Sequence, residues 1–535
     1  MTVCCRVIVL VYVSTSCNFM FLLPYCTMLG RLQYSFLRRE ISPLVWNYVF
    51  GKSNKKQLWL PAKNFIHSGT NVYEGTIYAL SSGFGKCGVA VIRVSGIESS
   101  SALLKLTRLR RTPKPKKVFV SPLWHPETQV MLDRALIFWF AKPKSFTGED
   151  MCEFQVHGGP AVVASVLDAL SCIDGLRPAN PGDFTKRAFL NNKFDLTEVE
   201  GLGDLIHAET EAQRRQALYQ MEGSLSSLYK VWTDEVLRLV AHCEAFIDFG
   251  EDQHLGSSVL DNVQEQIKNI QQRIEKHLID SRKGERLRTG VRVCIVGKPN
   301  VGKSTFLNCV TQRPAAIVSP IAGTTRDVIE TALDISGFPV LLSDTAGLCQ
   351  SDDIVEKEGI ARAYKKVQEA DLVILMLSVE MFLNSKLSAP AIIQKQVQDL
   401  NIEQYVKGDN LLVIVNKIDT VEDCTKFFLS NVFPMSCTTT EGFMDFLVAF
   451  SEKVKTLCGD IPVGNEPSAT QQRHRRHLVK CVQHLKKASD FFDDDDIVIA
   501  AEYLRMTLRE LGQISGKVDP EKILDVIFQD FCIGK

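Results

Sequence analysis

Apolar positions along this chain follow three rhythms, and each predicts a different kind of element. Between Thr76 and Gly96 they fall in strand-like runs around a glycine loop. Ala135–Phe140 and Cys152–Gly159 read as further strands, and AVVASVLDAL after them as a helix. From about Leu196 to Asp280 the period lengthens. Leu225, Leu228, Trp232, Val236, Leu239, Cys243 and Phe246 step by three and four, which predicts one face of a long amphipathic helix, packed in a core or against another helix. Largely apolar runs come next: VRVCIV before Gly297, the strand ending in Asp344, and LLVIVN ending in Asn416. Beyond about residue 470 the helical rhythm returns, and FDDDDIVIAAEY places acids at a helix start, where the macrodipole favours them.

Breaks between these rhythms divide the chain. TRLRRTPKPKKV predicts an exposed loop, SRKGERLRTG a charged linker, and PVGNEPS an exit segment. The expected organisation is a leader over 1–73, a small α+β domain over 74–193, a first helical half over 194–287, an inserted α/β domain over 288–460 and a second helical half over 461–535. The two helical halves are expected to pack together as one all-α domain.

Composition sharpens this picture only in places. A length of 535 residues is enough for two to four domains. The 62 basic and 62 acidic residues cancel, so any contact with nucleic acid must come from local patches such as RLRR–KPKK near residue 110 or RHRRH near residue 475. The 16 cysteines form no CxxC pair or Cys/His cluster, which fits free thiols in a reducing compartment and argues against a disulfide framework or a zinc site. Residues 1–73 carry eight Lys/Arg and one acid, Glu40, the balance of a mitochondrial transit peptide. Val7–Gly30 is uncharged, but Ser14, Thr15, Ser16, Asn18 and Pro24 make it a poor membrane helix, and a start at Met28 would open a conventional basic presequence. A signal anchor and an unprocessed leader are the alternatives. No stable membrane insertion is expected.

The chemistry lies in the inserted domain. GKPNVGKS, Gly297–Ser304, stands between an apolar run and a helical segment, the setting of a phosphate-binding loop. Gly297 and Gly302 let backbone N–H groups wrap a phosphate, Asn300, Val301 and Thr305 complete the loop, Lys303 reaches the β/γ-phosphates, and Ser304 ligates Mg²⁺. Asp344 ends the strand of LLSDTAG and suits the Mg²⁺ water shell, while Gly347 can offer its N–H to a γ-phosphate. In NKID, Asn416, Lys417 and Asp419 follow a strand. The Asp419 carboxylate can accept from guanine N1–H and its amino group, a donor pair adenine lacks, so the nucleotide is GTP. GTTRD, Gly323–Asp327, occupies the interval of a switch loop, and Ser436 and Cys437 fit the loop that touches the base. The order is that of a Ras-like GTPase on a doubly wound sheet.

Thr76–Gly96, SFTGEDMCEFQVHGGP, RPANPGDFTKRAFLNNKFDLTEVEGLGDLI, the GTPase motifs and the terminal FCIGK together resemble the MnmE/TrmE family of tRNA-modifying GTPases, from about residue 74 to Lys535. The resemblance implies a folate-binding-like α+β N-terminal domain that dimerises the protein and binds a tetrahydrofolate derivative, 5-formyl or 5,10-methylene. It implies an FAD-containing partner of the MnmG/GidA type. It also implies modification of carbon 5 of the wobble uridine of mitochondrial tRNAs, giving carboxymethylaminomethyl or taurinomethyl products, with potassium-stimulated GTP hydrolysis. Matched to the family's motifs, Asn300, Ser319, Ile321 and Thr324 are expected to hold K⁺, and Ser319 and Thr324 to lie in the nucleotide site. Thr325 joins Ser304 on Mg²⁺, and Glu356 positions the hydrolytic water. Arg93, Glu153, Lys193 and Lys535 match folate contacts, and Cys532 a cysteine needed for modification, although a cysteine between Phe531 and Ile533 also suits a small buried position. Cys349 stands where many members carry Arg, and Lys86–Cys87 where bacterial members often show Arg-Gly. The rival readings are an assembly GTPase of the mitochondrial ribosome, which would need neither the N-terminal domain nor FCIGK, and a helical dimer using GTP only as glue.

Overall fold

The computed structural model describes residues 75–253, 258–311, 330–344, 363–383, 385, 387–406, 408–421, 431–459, 469–493, 496–517 and 534. Contacts divide the chain into Met1–Glu74, which holds the expected leader and lies outside the described residues, and Gly75–Lys535. No described helix is long and apolar enough to cross a membrane.

The second unit begins with a six-stranded sheet of β1 (Thr76–Leu80), β2 (Cys87–Ser95), β3 (Val118–Trp124), β4 (Met131–Phe140), β5 (Met151–Gly158) and β6 (Leu176–Pro178), in the order β3-β4-β5-β2-β1-β6. All neighbours are antiparallel except the β1–β6 pair. The helices α1 (Ser99–Thr107) and α2 (Pro160–Ser171) pack on it. Strand alternation sends Ile92, Val94, Ile137, Phe154 and Val156 to this side, where they form one core with Leu103, Leu106, Val166 and Leu170. The stretch 108–117 is the exposed loop its Pro and charges predict.

Helices follow: α3 (Asp183–Leu190), α4 (Leu196–His207), α5 (Glu211–Met221), α6 (Ser224–Gln253) and α7 (Ser258–Thr289). Asp195 with Glu198, and Thr210 with Gln213, form reciprocal capping boxes that fix where α4 and α5 begin. The stripe of α6 packs with α7 and with α12 (Gln472–Asp493) and α13 (Ile497–Ser515), far along the chain, in one core containing Trp232, Val236, Ile267, Leu485 and Leu504. Asp496 caps α13 by accepting from Ile499 N–H, so an Asp of the acidic run serves the helix start.

Between α7 and α12 lies a second six-stranded sheet: β7 (Val291–Val296), β8 (Glu330–Ile335), β9 (Phe338–Asp344), β10 (Leu372–Ser378), β11 (Leu411–Asn416) and β12 (Val432–Pro434), ordered β12-β11-β10-β7-β9-β8. Its pairs are parallel except β8–β9. Of the helices here, α8 (Lys303–Thr311) and α11 (Phe443–Cys458) share one core with the sheet, while α9 (Val379–Leu383) and α10 (Ala389–Asp399) contribute to the other side. Burial on both faces explains the largely apolar runs.

One expectation is corrected. The charged run SRKGERLRTG is no linker but the last turns of α7 and the residue after it. Its charges are consistent with helix because they lie around an apolar anchor, Leu287, which enters the core of the second sheet. Arg286 Nε is 2.7 Å from Asp371 Oδ1. A continuous helix thus fastens the helical core to the inserted domain.

Candidate functional sites

The loop 297–302 leaves the C-terminal end of β7 and enters α8 at Lys303. Beside β7 the register sets Ile295 against Asp344 and Val296 against Leu375, so Asp344 ends its strand alongside the loop. Asn300 adopts a left-handed φ of 62° and Gly302 one of 103°. A Cβ on Gly302 would overlap the amide of Asn416, so this position demands glycine for space as well as for backbone freedom. Lys303 is nearly buried and donates to Gly297 O at 2.8 Å and Lys298 O at 3.0 Å. Ser304 and Thr305 are exposed on the first turn of α8.

Asn416 joins this loop to the base loop. Its Nδ2 donates to Val301 O at 2.8 Å, and its Oδ1 accepts from Cys437 N–H at 3.0 Å. Ser436 Oγ accepts from the N–H groups of Thr438 and Thr439, which closes the turn. Lys417 takes a φ of 69°, and Asp419 lies exposed on the short helical turn Ile418–Thr420. Burial pushes the Cys437 thiol up to about 12, with Cys309 and Asp419 adding to the shift, so it stays protonated and contributes shape and a backbone N–H. Asn300, Val301, Gly302, Lys303, Ser304, Asn416, Lys417, Asp419, Ser436 and Cys437 thus line adjoining loops. Ser319, Ile321, Thr324, Thr325, Gly347, Cys349 and Glu356 lie outside the described residues.

A second cluster stands on the first sheet. Arg93 of β2 and Glu153 of β5 are directly opposite, and Arg93 Nε and Nη2 each lie 2.9 Å from Glu153 Oε1. Their side chains are 15% and 16% exposed, and the guanidinium sits 5.2 Å from the Phe146 ring and 5.7 Å from that of Phe184. The tail of the chain reaches this cluster. Gly534 O accepts from Ser81 Oγ at 3.0 Å and from Arg93 Nη1 at 3.4 Å. Gly534 has φ of 91°, and a Cβ there would run into Leu80 O. Lys193 is exposed beyond α3 and makes no ion pair among the described residues. Cys532 and Lys535 lie outside them. Sequence reasoning missed Ser81, Phe146 and Phe184. Only the Gly-rich loop after Leu80 could have drawn attention to the first, and the two phenylalanines read as ordinary core.

The comparisons with known proteins fall on both clusters. A model described as the GTP-binding protein TrmE N-terminus matches residues 76–193, and one described as the MnmE helical domain matches 196–532. The mitochondrial 5-taurinomethyluridine tRNA synthase subunit of Danio rerio is 48% identical over 472 residues, 86% of this chain and 93% of that one. Its Homo sapiens counterpart is 45% identical over the same shares. The tRNA modification GTPase MnmE of Rickettsia bellii is 42% identical over 467 residues, 86% of this chain and all of its own.

Proposed function

The chain belongs to the MnmE/TrmE family of tRNA-modification GTPases, and from that premise we propose that it couples GTP hydrolysis to a one-carbon reaction at a separate site on its N-terminal sheet. It is a GTP hydrolase of tRNA modification and a mitochondrial protein. The proposed substrate is carbon 5 of the wobble uridine of mitochondrial tRNAs, carrying a carboxymethylaminomethyl or taurinomethyl product. The proposed donor is a tetrahydrofolate derivative, 5-formyl or 5,10-methylene, and FAD enters on an MnmG/GidA-type partner.

The observation that carries this reading is the seat of Gly534 beside Arg93 and Glu153. Gly534, the one described residue of the terminal motif, meets a charged pair on the N-terminal sheet, far from the nucleotide loops in sequence. The pair fits a folate. Glu153 spends Oε1 on Arg93, leaving Oε2 to accept from the paired N–H donors of a pterin, and Arg93 holds that carboxylate in place on the sheet. Lys193 and Lys535 would add positive charge for the folate's carboxylate tail, and Cys532 would approach the donor. Bound folate would supply the carbon that the tRNA gains.

In the nucleotide site the residues divide the work that phosphoryl transfer requires. Backbone N–H groups of Asn300–Thr305 wrap the phosphates, Lys303 meets the β/γ-oxygens, and Asp419 reads guanine. Ser304, Thr325 and Asp344 would hold Mg²⁺. Asn300, Ser319, Ile321 and Thr324 would hold K⁺. The exposed hydroxyl of Ser304 and the exposed Asn300 are hard oxygen donors that suit these ions. When bound, the cations would supply charge neutralisation between the β- and γ-phosphates, and Glu356 would orient the attacking water.

The outer side of the N-terminal sheet supports a homodimer. Val118, Val120 and Leu136 are 49%, 62% and 41% exposed, Val120 lies opposite Leu136, and Phe138 and Phe140 stack beside them. Mass spectrometry of wobble nucleosides from a deletion strain tests the function. Loss of the carbon-5 group supports it; intact wobble uridines with a ribosome-assembly defect would favour the assembly-GTPase reading.

A further inference from the structure

Helix α12 carries charge in an order that helix stability does not explain. Between Gln472 and Ser489 it holds Arg473, Arg475, Arg476, Lys480, Lys486 and Lys487 and no acid; its acids, Asp490 and Asp493, come at its end. The macrodipole favours the reverse, with acids in the first turn and bases in the last. In a chain of zero net charge, this placement gives up local stability.

Position on the helix sorts these residues into two kinds. At ~100° per residue, Leu478, Cys481, Leu485 and Ala488 share the buried face. Arg473 works within the protein, donating to Glu200 Oε1 at 2.9 Å and to the carbonyls of Gln513 and Ile514. The opposite face, an arc of about 140° on the same reckoning, carries Arg475, Arg476, Lys480, Lys486 and Lys487. Lys480 shares Glu510 with His477, and Lys487 lies over the Tyr503 ring. Among the described residues no carboxylate pairs with Arg475, Arg476 or Lys486. Over the ten helical steps from Arg476 to Lys486 the stripe runs about 15 Å.

We propose that this face of α12 binds the phosphate backbone of the RNA substrate. The inference rests on the tRNA-modification reading above. Rigid cations spaced along a helix and backed by a packed core match a polyanion, and solvating them alone requires no order of this kind. The exposed loop 108–117 is the poorer match, because its Arg108 is committed to Gln129 and to the face of Trp124.

The test uses the full chain and an in vitro transcript of a cognate mitochondrial tRNA, with binding measured by fluorescence anisotropy at several salt concentrations. Arg475→Ala/Arg476→Ala/Lys486→Ala is expected to weaken binding about tenfold or more and to reduce the slope of log K against log salt by about two to three. GTP turnover should stay within about twofold of wild type, since no transition-state contact is touched. Arg110→Ala/Arg111→Ala/Lys114→Ala should bind like wild type. Unchanged binding by the α12 variant, the larger loss in the loop variant, or no tRNA binding by the wild-type chain would each overturn the proposal. In cells, an α12 variant that restores full wobble modification to a deletion strain also overturns it, with the tRNA reading intact. A deletion strain that keeps its modification overturns the tRNA reading itself.

Discussion

The two six-stranded sheets build their sites in opposite ways. The second sheet is mostly parallel and buried on both faces, so its chemistry sits in loops where strands end. Val296, Asp344 and Asn416 all end strands at the edge that carries the candidate nucleotide loops. The N-terminal sheet is mostly antiparallel, with α1 and α2 packed on one side and Phe184 of α3 on the other. Its site is a pair of side chains standing on neighbouring strands, Arg93 and Glu153, 60 residues apart in sequence and joined by a glycine from the end of the chain. A loop site is written in consecutive residues. A face site is written in register, and only the folded sheet shows it.

Breaking the loop site should remove nucleotide chemistry and leave the sheet intact. The largest effect is expected from Asp419→Asn, which puts a donor where guanine also donates. GTP affinity should fall on the order of a thousandfold, as when a site built for a hydrogen-bonding pair meets the wrong partner, with partial recovery on xanthosine triphosphate. Isothermal titration with both nucleotides checks this.

The next effect calibrates the comparison, because the residue changed joins α4 to α12, outside both sites, and its loss should harm both. Glu200 is buried against Arg473 and His474, 2.9 and 2.6 Å away. Burial pushes its carboxyl up, but His474 and Arg473 outweigh that and hold it down at about 2, against an ordinary 4.5. A depressed carboxyl contributes stability that is fully present above about pH 4.5 and is lost as pH falls toward 2. Glu200→Gln should therefore cost about 3 kcal/mol near neutrality and flatten acid unfolding in that window, read by denaturant melts across pH. GTPase and modification should fall together. A smaller and more local effect is expected of Gly302→Ala. Its methyl must displace Asn416 at a left-handed φ, so nucleotide affinity should drop about tenfold to a hundredfold with an unchanged thermal midpoint of the helical core.

The same contrast explains what the sequence made legible. The GKPNVGKS, NKID and Ser436–Cys437 segments fall on adjoining loops because each strand of a parallel sheet delivers its own motif to one edge. The α6 stripe is the core face of its helix because period alone decides that face. SRKGERLRTG misled because charge density reads as a linker, whereas Leu287 is buried in the core of the sheet whose first strand follows at Val291 and so anchors the end of the helix. The partners of Arg93 were illegible locally. Ser81, Phe146, Phe184 and Gly534 gather there through strand pairing and through the contact of Gly534, a residue hundreds of positions away in sequence.

The central claim is that one chain holds a nucleotide site and a separate modification site, and Arg93→Ala tests it most directly. The change removes the partner of Glu153 and one donor to Gly534. Purified variant protein should hydrolyse GTP within about twofold of wild type, since no phosphate contact is lost. Wobble uridines in cells carrying only this variant should lack the carbon-5 group. A stable Arg93→Ala protein with wild-type modification, or one whose GTP turnover collapses while its fold persists, would contradict the account.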